Sequence, residues 1–283
     1  MSRTLHVVVS ESAGFCPGVE RALELTLDAA ERARKPINTL GPLIHNPKVV
    51  SDLGGRGVGV IAEPAEDQAG TVILRSHGVP RAVRERLSEL KVDVVDATCP
   101  FVTSAQDKAA RMAKDGYFVL ILGDRDHPEV LALKSYAGEE SLVVESAYDL
   151  PDGFGERKIG VVVQTTQSKE RLAELVAKLA PQAKELLVHN TICNATDLRQ
   201  SAALQMAADV DAVVVVGGRE SGNTRRLAEL CAQRQPRTHY VESAEEIDAS
   251  WFEGLQSVGV TAGASTPSEQ IDAVVSALGM IDT

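Results

Sequence analysis

The chain has 283 residues, of which 44% are hydrophobic, 24% charged and only 4% aromatic. This composition is too apolar for a disordered protein, and the length suits two or three globular domains with aliphatic cores. The 40 acidic residues outnumber the 29 basic ones, and the formal net charge of −11 repels the phosphates of nucleic acids. We therefore predict a globular protein that binds no nucleic acid.

The sequence also argues against a membrane or secreted protein. No apolar run reaches the roughly 18 residues that span a bilayer, and the N-terminal segment lacks the features of a signal peptide. The four cysteines are too few and too scattered for a secreted disulfide framework. We expect a cytoplasmic protein, without membrane association, whose reduced thiols act as ligands or packing residues.

Apolar, β-branched runs alternate with amphipathic stretches along the whole chain. Runs typical of buried strands are Leu5–Val9, Thr71–Leu74, Val92–Val95, Phe118–Leu122, Ser141–Val144, Gly160–Val163, Glu185–Val188, Ala212–Val216 and Ser257–Val260. Predicted helices cover Gly18–Lys35, Arg81–Leu90, Phe101–Asp115, Lys169–Leu179, Arg199–Ala208 and Asn223–Arg234. This alternation predicts an α/β fold with mostly parallel sheets.

Three cysteines share one local context, which is an apolar strand, a short turn, the cysteine and then a helix. The stretches are HVVVSESAGFCPGVERAL, VDVVDATCPFVTSAQ and LLVHNTICNATDLRQ, and their cysteines, Cys16, Cys99 and Cys193, lie 83 and 94 residues apart. We interpret the recurrence as three quasi-equivalent α/β lobes, 1–98, 99–192 and 193–283, each offering one thiol. Cys231 lies inside a helical pattern, and we assign it to packing.

The three thiols can converge, because the carboxyl ends of parallel strands face the crevice where α/β folds bind small molecules. A helix N-terminus beside each sulfur favours the thiolate, which is the form that binds metal. The alternative is three buried cysteines that behave as small hydrophobic side chains. No C-x-x-C pair is present, which excludes a zinc ribbon or a ferredoxin-type run of cluster ligands.

Histidine, hydroxyl and amide side chains follow several predicted strands, each accompanied by glycine or proline. They are His45, His77, His127, Thr165, Ser221, Asn223 and Ser265. Neutral donors of this kind, together with helix N-termini, can bind an anion with few lysine or arginine residues. The alternative for Ser221 and Ser265 is a helix N-cap. Neither a P-loop nor a dinucleotide-binding glycine fingerprint occurs, so ATP and NAD are poor candidates.

Glu129 lies two residues after His127, in the segment that follows the predicted strand Phe118–Leu122. A carboxylic acid in a closed site beside a hydroxyl such as that of Thr165 can protonate a leaving group if burial raises its pKa. Alternatively, Glu129 is a first-turn helix residue that interacts with the helix dipole.

The motifs as a set resemble one family. In chain order, from about Val7 to Pro267, the stretches GFCPGVERA, LIHNPKVV, SHGV, DATCPFV, HPEV, QTT, NTICNAT, RQ, SGNTRRL and GVTAGASTP closely resemble the LytB (IspH) family of 4-hydroxy-3-methylbut-2-enyl diphosphate reductases. The resemblance implies a three-lobed α/β enzyme with a central iron–sulfur cluster. Its reaction is the reductive dehydroxylation of the allylic alcohol diphosphate to isopentenyl and dimethylallyl diphosphates, the last step of the non-mevalonate isoprenoid pathway.

The resemblance also implies a role for each motif residue. Cys16, Cys99 and Cys193 match the ligands of a 4Fe–4S cluster with one open iron, which can act as a Lewis acid on the substrate oxygen. The positions that match substrate-binding residues are His45, His77, His127, Thr165, Ser221, Gly222, Asn223 and Ser265. The residues that hold the substrate hydroxyl and relay protons are His127, Glu129 and Thr165. Glu220, Gly222 and the glycine-free segment after Glu129 depart from the commonest family pattern.

No flavin or nicotinamide fingerprint is present, so the resemblance implies an external electron donor such as a ferredoxin or flavodoxin. Candidates for a basic docking patch are Arg199, Arg225 and Arg226, with an exposed helical face as the alternative. Two other functions stay open. One is a zinc-dependent hydrolase that uses the same cysteines and histidines. The other is an iron–sulfur paralogue of the family that acts as a sensor or on another substrate.

Overall fold

The computed structural model describes residues 4–151 and 156–281. Its strands are β1 His6–Val9, β2 Ile37–Leu40, β3 Val58–Ile61, β4 Thr71–Leu74, β5 Asp93–Asp96, β6 Phe118–Leu122, β7 Ser141–Val144, β8 Lys158–Val163, β9 Glu185–Val188, β10 Ala212–Val216, β11 Thr238–Val241 and β12 Ser257–Ala262. Its α-helices are α1 Pro17–Arg32, α2 Pro47–Gly55, α3 Arg81–Glu89, α4 Pro100–Lys114, α5 Pro128–Ala137, α6 Lys169–Leu179, α7 Asn194–Ala208, α8 Gly222–Arg234 and α9 Ser268–Gly279.

The strands form three four-stranded sheets with one shared topology. The strand orders are β3-β2-β4-β5, β7-β6-β8-β9 and β11-β10-β12-β1. All strand pairs between described residues are parallel. The predicted α/β fold with three parallel-sheet lobes is therefore confirmed.

Strand β1 belongs to the sheet formed by the last part of the chain. It pairs with β12 in a register that runs from His6 opposite Ser257 to Val9 opposite Val260. The strand thus lies within the predicted range 1–98 but hydrogen-bonds with strands of the range 193–283. The lobe boundaries 1–98, 99–192 and 193–283 stay a prediction.

Grouped by compactness, the chain forms two units. Unit one comprises the residues up to Val19, His45–Val49 and the residues from Asn194 onward, and it contains β1, β10, β11 and β12. Unit two comprises Glu20–Ile44 and Val50–Cys193, and it contains the other two sheets.

Aliphatic side chains fill the cores on both faces of the sheets. In unit one, the buried strand residues Val214 and Val260 pack with Val274 of α9, and Val213 and Val215 pack on the opposite face. Burial of this apolar surface contributes about 25 cal/mol per Å² to stability. Cys231 of α8 is fully buried in the second cluster, and burial raises the pKa of its thiol to about 12. These observations confirm its assignment to packing.

The sheets of unit two are covered in the same way. Leu120 and Val161 pack with Leu175 of α6, whereas Val119 and Ile121 lie on the other face with residues of α4 and α5. A separate cluster joins β2 and β4 to α3.

Within the described residues, no helix is long and apolar enough to cross a membrane.

Candidate active site

Each sheet presents one cysteine in the same position. Cys16, Cys99 and Cys193 follow the edge strands β1, β5 and β9, and each directly precedes a helix. The backbone N–H of each cysteine donates to the second residue after the neighbouring inner strand. The acceptors are the carbonyls of Ala264 at 3.2 Å, Ser76 at 2.9 Å and Thr165 at 3.1 Å, respectively. One hydrogen bond therefore fixes the backbone of every cysteine turn.

The chemistry of these three thiols differs from that of Cys231. All four side chains are thiols, but Cys16, Cys99 and Cys193 are only partly buried. Each of the three lies at the N-terminus of a helix of at least 15 residues. This donor set fits a thiolate-ligated metal or iron–sulfur cluster.

The turns that accept these hydrogen bonds also carry predicted substrate-binding residues. His77 follows Ser76, Ser265 follows Ala264, and Thr165 is itself an acceptor. The hydrogen bond of Cys16 joins two turns of unit one, and the hydrogen bonds of Cys99 and Cys193 join turns of unit two. Each predicted ligand turn is therefore joined to a turn with a predicted substrate residue.

A second set of equivalent turns follows the other inner strands. Glycine directly follows β2, β6 and β10, at Gly41, Gly123 and Gly217, and the residues four positions later are His45, His127 and Ser221. A helix begins within two residues of each. This spacing is present in the sequence and is the signal that identifies the three turns as equivalent.

Unit two brings Glu129 and Thr165 into direct contact. The carboxylate of Glu129 is 1% exposed. Its Oε1 accepts from the backbone N–H of Thr165 at 2.6 Å, and its Oε2 accepts from Thr165 Oγ1 at 2.9 Å. Because the carbonyl of the same threonine accepts from Cys193 N–H, an acid, a hydroxyl and a predicted ligand are linked through one residue.

His127 is fixed by the start of α5. Its side chain caps the helix, with Nδ1 accepting from the backbone N–H of Glu129 at 3.2 Å. An acceptor at Nδ1 leaves the proton of the neutral ring on Nε2, which is then a hydrogen-bond donor. The ring of His77 lies edge-on to it, with centroids 5.3 Å apart. The predicted residues His77, His127, Glu129 and Thr165 therefore lie together in unit two.

Burial dominates the acidity of Glu129. Desolvation raises the pKa of this carboxyl from 4.5 to about 7, opposed by the hydrogen bonds from Thr165 and supported by the charge of Asp124. Burial therefore increases the protonated fraction of this carboxyl at neutral pH. Its position as a first-turn helix residue, the alternative at the sequence level, is also correct, because Glu129 is the second residue of α5.

Unit one brings together the predicted hydroxyls. Ser265 Oγ lies 3.5 Å from Ser221 Oγ and 3.4 Å from the carbonyl oxygen of His45. Gly218 permits this approach, since a Cβ there would lie 2.5 Å from the same carbonyl oxygen. Ser221 is also the N-cap of α8, as the alternative interpretation expected, and accepts from Thr224 N–H. Ser265 makes no equivalent contact with α9, whose N-cap is Pro267.

Asn223 is the clearest sign of a ligand in unit one. The side chain is 4% exposed, yet neither its Nδ2 nor its Oδ1 has a hydrogen-bond partner within 4–151 and 156–281. A buried amide without partners costs about 1–3 kcal/mol, which makes Asn223 a candidate contact for a water or a ligand. Gly222 and Asn223 form the first turn of α8, where backbone N–H groups attract anions.

The proposed basic patch is largely wrong. Arg199 is 3% exposed and Arg226 is 7% exposed, and Arg226 pairs with Glu229 on its own helix, so neither belongs to an open docking surface. Only Arg225 of the three is exposed. Glu220 is also exposed, so solvent screens its charge.

The sequence analysis missed Asn46, which supports the turn of His45. The amide is 1% exposed, donates to Gln270 Oε1 at 3.0 Å and accepts from Val49 N–H at 3.2 Å. An asparagine before proline reads as an ordinary turn residue, and nothing in the sequence pairs it with Gln270, 224 positions away.

Partly buried thiols at helix N-termini, a buried acid with a raised pKa and neutral hydrogen-bonding groups on parallel sheets are features of an α/β enzyme, and we assign the protein to this class. The family model described as LytB protein matches residues 7–279. The 4-hydroxy-3-methylbut-2-enyl diphosphate reductase of Geobacter sulfurreducens is 47% identical over 278 residues, 98% of each chain. The protein of the same name from Pelobacter propionicus is 46% identical over 278 residues, 98% of this chain and 99% of its own.

Two solved structures agree. A structure of (E)-4-hydroxy-3-methyl-but-2-enyl diphosphate reductase is 40% identical, with a TM-score of 0.70 over 97% of this chain and 99% of its own. The E-1-hydroxy-2-methyl-but-2-enyl-4-diphosphate reductase of Plasmodium falciparum is 26% identical, with a TM-score of 0.89 over 97% and 87%. The chain therefore belongs to the LytB family of diphosphate reductases, and the hydrolase and sensor alternatives are not favoured.

The pKa of Glu129 predicts a specific pH dependence of stability. Between pH 4.5 and about 7 the folded protein keeps a proton on Glu129 that the unfolded chain releases, so this carboxyl makes the free energy of unfolding fall as pH rises. The Gln variant lacks this titration. We expect Glu129→Gln to gain stability relative to the unmodified protein over this interval, by about 1–3 kcal/mol.

Urea unfolding at matched pH values measures this difference. Glu170→Gln, at an exposed position in the first turn of α6, is the control and should show no comparable change. A stability difference for Glu129→Gln that does not vary with pH would contradict the raised pKa.

Proposed function

We propose that the chain catalyses the two-electron reductive dehydroxylation of (E)-4-hydroxy-3-methylbut-2-enyl diphosphate to isopentenyl and dimethylallyl diphosphates. Family membership supports the reaction, and one observation within the chain carries it. Glu129, an acid with a pKa of about 7, contacts Thr165, whose carbonyl binds the N–H of Cys193. These contacts support a role for Glu129 as a proton donor that is linked through Thr165 to the turn of a proposed ligand.

Cys16, Cys99 and Cys193 are the residues we assign to a 4Fe–4S cluster. Their partial burial, their position at helix N-termini and their fixed backbones suit thiolate ligands. When bound, a cluster with three protein ligands supplies electrons and an iron that can act as a Lewis acid.

The proton chemistry belongs to Glu129, Thr165 and His127. Replacing the hydroxyl of the substrate by hydrogen consumes two electrons and two protons and releases water, and one of the protons must reach the leaving oxygen. Thr165 Oγ1 and the Nε2–H of His127 would hold the hydroxyl, and Glu129 would protonate it. Desolvation keeps a large fraction of Glu129 protonated at neutral pH, as a general acid requires.

The diphosphate would be bound by neutral groups. Ser221, Asn223 and Ser265, with the backbone N–H groups at Gly222 and the first turn of α8, supply donors without lysine. The unsatisfied amide of Asn223 supports this assignment most strongly. His45 and His77 are assigned to the same ligand by the family resemblance. The electrons would come from a protein such as a ferredoxin or flavodoxin.

Cysteine variants test the ligand assignment. We expect Cys16→Ser, Cys99→Ser and Cys193→Ser each to lose activity and most of the iron and sulfide, because serine is a poor ligand for a cluster. Cys231→Ser should retain both, since its thiol is a packing residue. Iron and sulfide analysis of anaerobically purified protein measures the difference. Full cluster content in any of the first three variants would exclude that residue from the ligand set.

Asn223→Ala tests the anion site. Loss of a hydrogen bond to a charged ligand should weaken the binding of inorganic diphosphate by about 10–150-fold. The same variant should not lower the stability of the ligand-free protein, because the amide has no partner within the described residues. Calorimetric titration and urea unfolding measure the two effects, with the exposed Gln233→Ala on the same helix as the control. Unchanged diphosphate affinity would remove Asn223 from the site.

Glu129→Gln tests proton delivery, because the amide can accept from Thr165 N–H with its oxygen and donate to Thr165 Oγ1 with its NH2 group, but it is not an acid. With excess chemical reductant, turnover should fall at least about 10²-fold while iron content stays unchanged. The activity of the unmodified enzyme should decline as pH rises above about 7, where Glu129 loses its proton. Turnover of the Gln variant at the unmodified rate would exclude Glu129 from the mechanism, and loss of iron would instead give it a structural role.

A further inference from the structure

Arg199 makes a contact that the proposed reaction does not use. This residue of α7 is 3% exposed, and its guanidinium donates to the carbonyl of Gly14 at 2.7 Å and to that of Ala195 at 3.2 Å. Gly14 lies two residues before Cys16, in the turn that follows β1. Gly14 and Arg199 are 185 positions apart in the sequence, but both lie in unit one. The guanidinium therefore holds the cysteine turn against α7.

The backbone of Gly14 is suited to this contact. Its φ is +105°, a region that only glycine adopts without strain, and its carbonyl accepts the hydrogen bond from Arg199. The N–H of Cys16 is bound separately to Ala264. The turn is thus fixed on both sides of Phe15.

Arg21 makes a similar contact in unit two. It donates to the carbonyl of Thr98 at 3.1 Å and to that of Asp96 at 3.4 Å, and Thr98 directly precedes Cys99. Arg21 lies on α1, which begins directly after Cys16, and Arg199 lies on α7, which begins directly after Cys193. Each arginine is on the helix that follows one cysteine and binds the turn of another. The two arginines differ in burial: Arg21 is exposed, whereas Arg199 is buried.

We infer that Arg199 is a positioning residue for the iron–sulfur cluster: it holds the Cys16 turn in ligand geometry and keeps a fixed positive charge beside it. This inference rests on the proposed function, because it requires the three-cysteine cluster. A guanidinium stays protonated at every physiological pH. In a buried, weakly polar setting its charge acts more strongly than at the surface.

Two measurable properties follow from this role. Reduction adds negative charge to a cluster, so a nearby fixed cation favours the reduced state and raises the reduction potential. Groups that orient a ligand also increase metal retention, and their loss typically weakens metal affinity by about 10–100-fold. Arg21 should affect the potential less than Arg199, because solvent and salt screen an exposed charge. An arginine that only packs in the core would alter stability and leave the potential unchanged.

Four variants separate these effects. Arg199→Gln removes the charge and the pair of hydrogen bonds to the carbonyls of Gly14 and Ala195, whereas Arg199→Lys keeps the charge but cannot reproduce both hydrogen bonds. Arg21→Gln tests the exposed counterpart, and Arg234→Gln, at an exposed position on α8, controls for the change in net charge. Each protein is reconstituted anaerobically with iron and sulfide. Potentiometric titration monitored by electron paramagnetic resonance gives the midpoint potential, and competition with a chelator gives iron retention.

We expect Arg199→Gln to have a more negative midpoint potential and at least about 10-fold weaker iron retention than the unmodified protein. Arg199→Lys should restore the potential but not the retention, and Arg21→Gln should shift the potential less. A potential and iron retention equal to those of Arg234→Gln would overturn the inference. If Arg199→Gln does not fold, unchanged iron retention in Arg199→Lys overturns it. Unmodified protein that takes up no cluster refutes the proposed function itself, before any variant is compared.

Discussion

The hydrogen bond from each cysteine N–H to the turn of the neighbouring inner strand organises this protein. Parallel strands end at the same edge of a sheet, so the turn after an edge strand lies beside the turn after the next strand. In this chain the turn after the edge strand carries the thiol. The turn after the inner strand carries a proposed substrate residue at the accepting carbonyl or directly after it, and these residues are Ser265, His77 and Thr165. One backbone interaction therefore sets the position of a proposed cluster ligand relative to a proposed substrate residue, and it does so in all three sheets.

Burial determines what the surrounding polar groups can do. The net charge of −11 opposes an anionic substrate, but charge at a distance is screened, whereas neutral donors and helix N-termini act at short range. Burial raises the pKa of Glu129 in unit two, and in unit one the buried amide of Asn223 has no hydrogen-bond partner within the described residues. Both side chains reduce the stability of the ligand-free fold. This cost is typical of groups retained for binding or catalysis.

The sequence predicts the strongly apolar strands and the amphipathic helices well, but it predicts neither β2, β3 and β11 nor α2, α5 and α9. Strands β2 and β11 contain polar residues such as Asn38 and His239, and β3 contains Gly59, so none forms an apolar β-branched run. Helix α5 is buried around much of its circumference, which removes the amphipathic pattern. The cysteine contexts are recognisable because a strand, a thiol and a helix start follow each other directly. Contacts such as that of Arg199 with Gly14 join segments 185 positions apart and leave no local signal.

The three-fold repeat is preserved in strand order more than in residue identity, which is why the sequence indicates it only through the three cysteine contexts. Met112 and Met206 each lie thirteen residues after a cysteine, and each occupies the space over a strand glycine, Gly160 or Gly259, where a Cβ would come within 2.7 Å of the methionine side chain. The position thirteen residues after Cys16 holds Ala29 instead. The side chains at another equivalent position differ more. The seventh residue is Pro47 after β2, Glu129 after β6 and Asn223 after β10. One backbone position thus begins a helix in one sheet, supplies the proposed acid in the second and supplies the proposed anion ligand in the third, so the proposed chemistry differs between sheets that share one strand order.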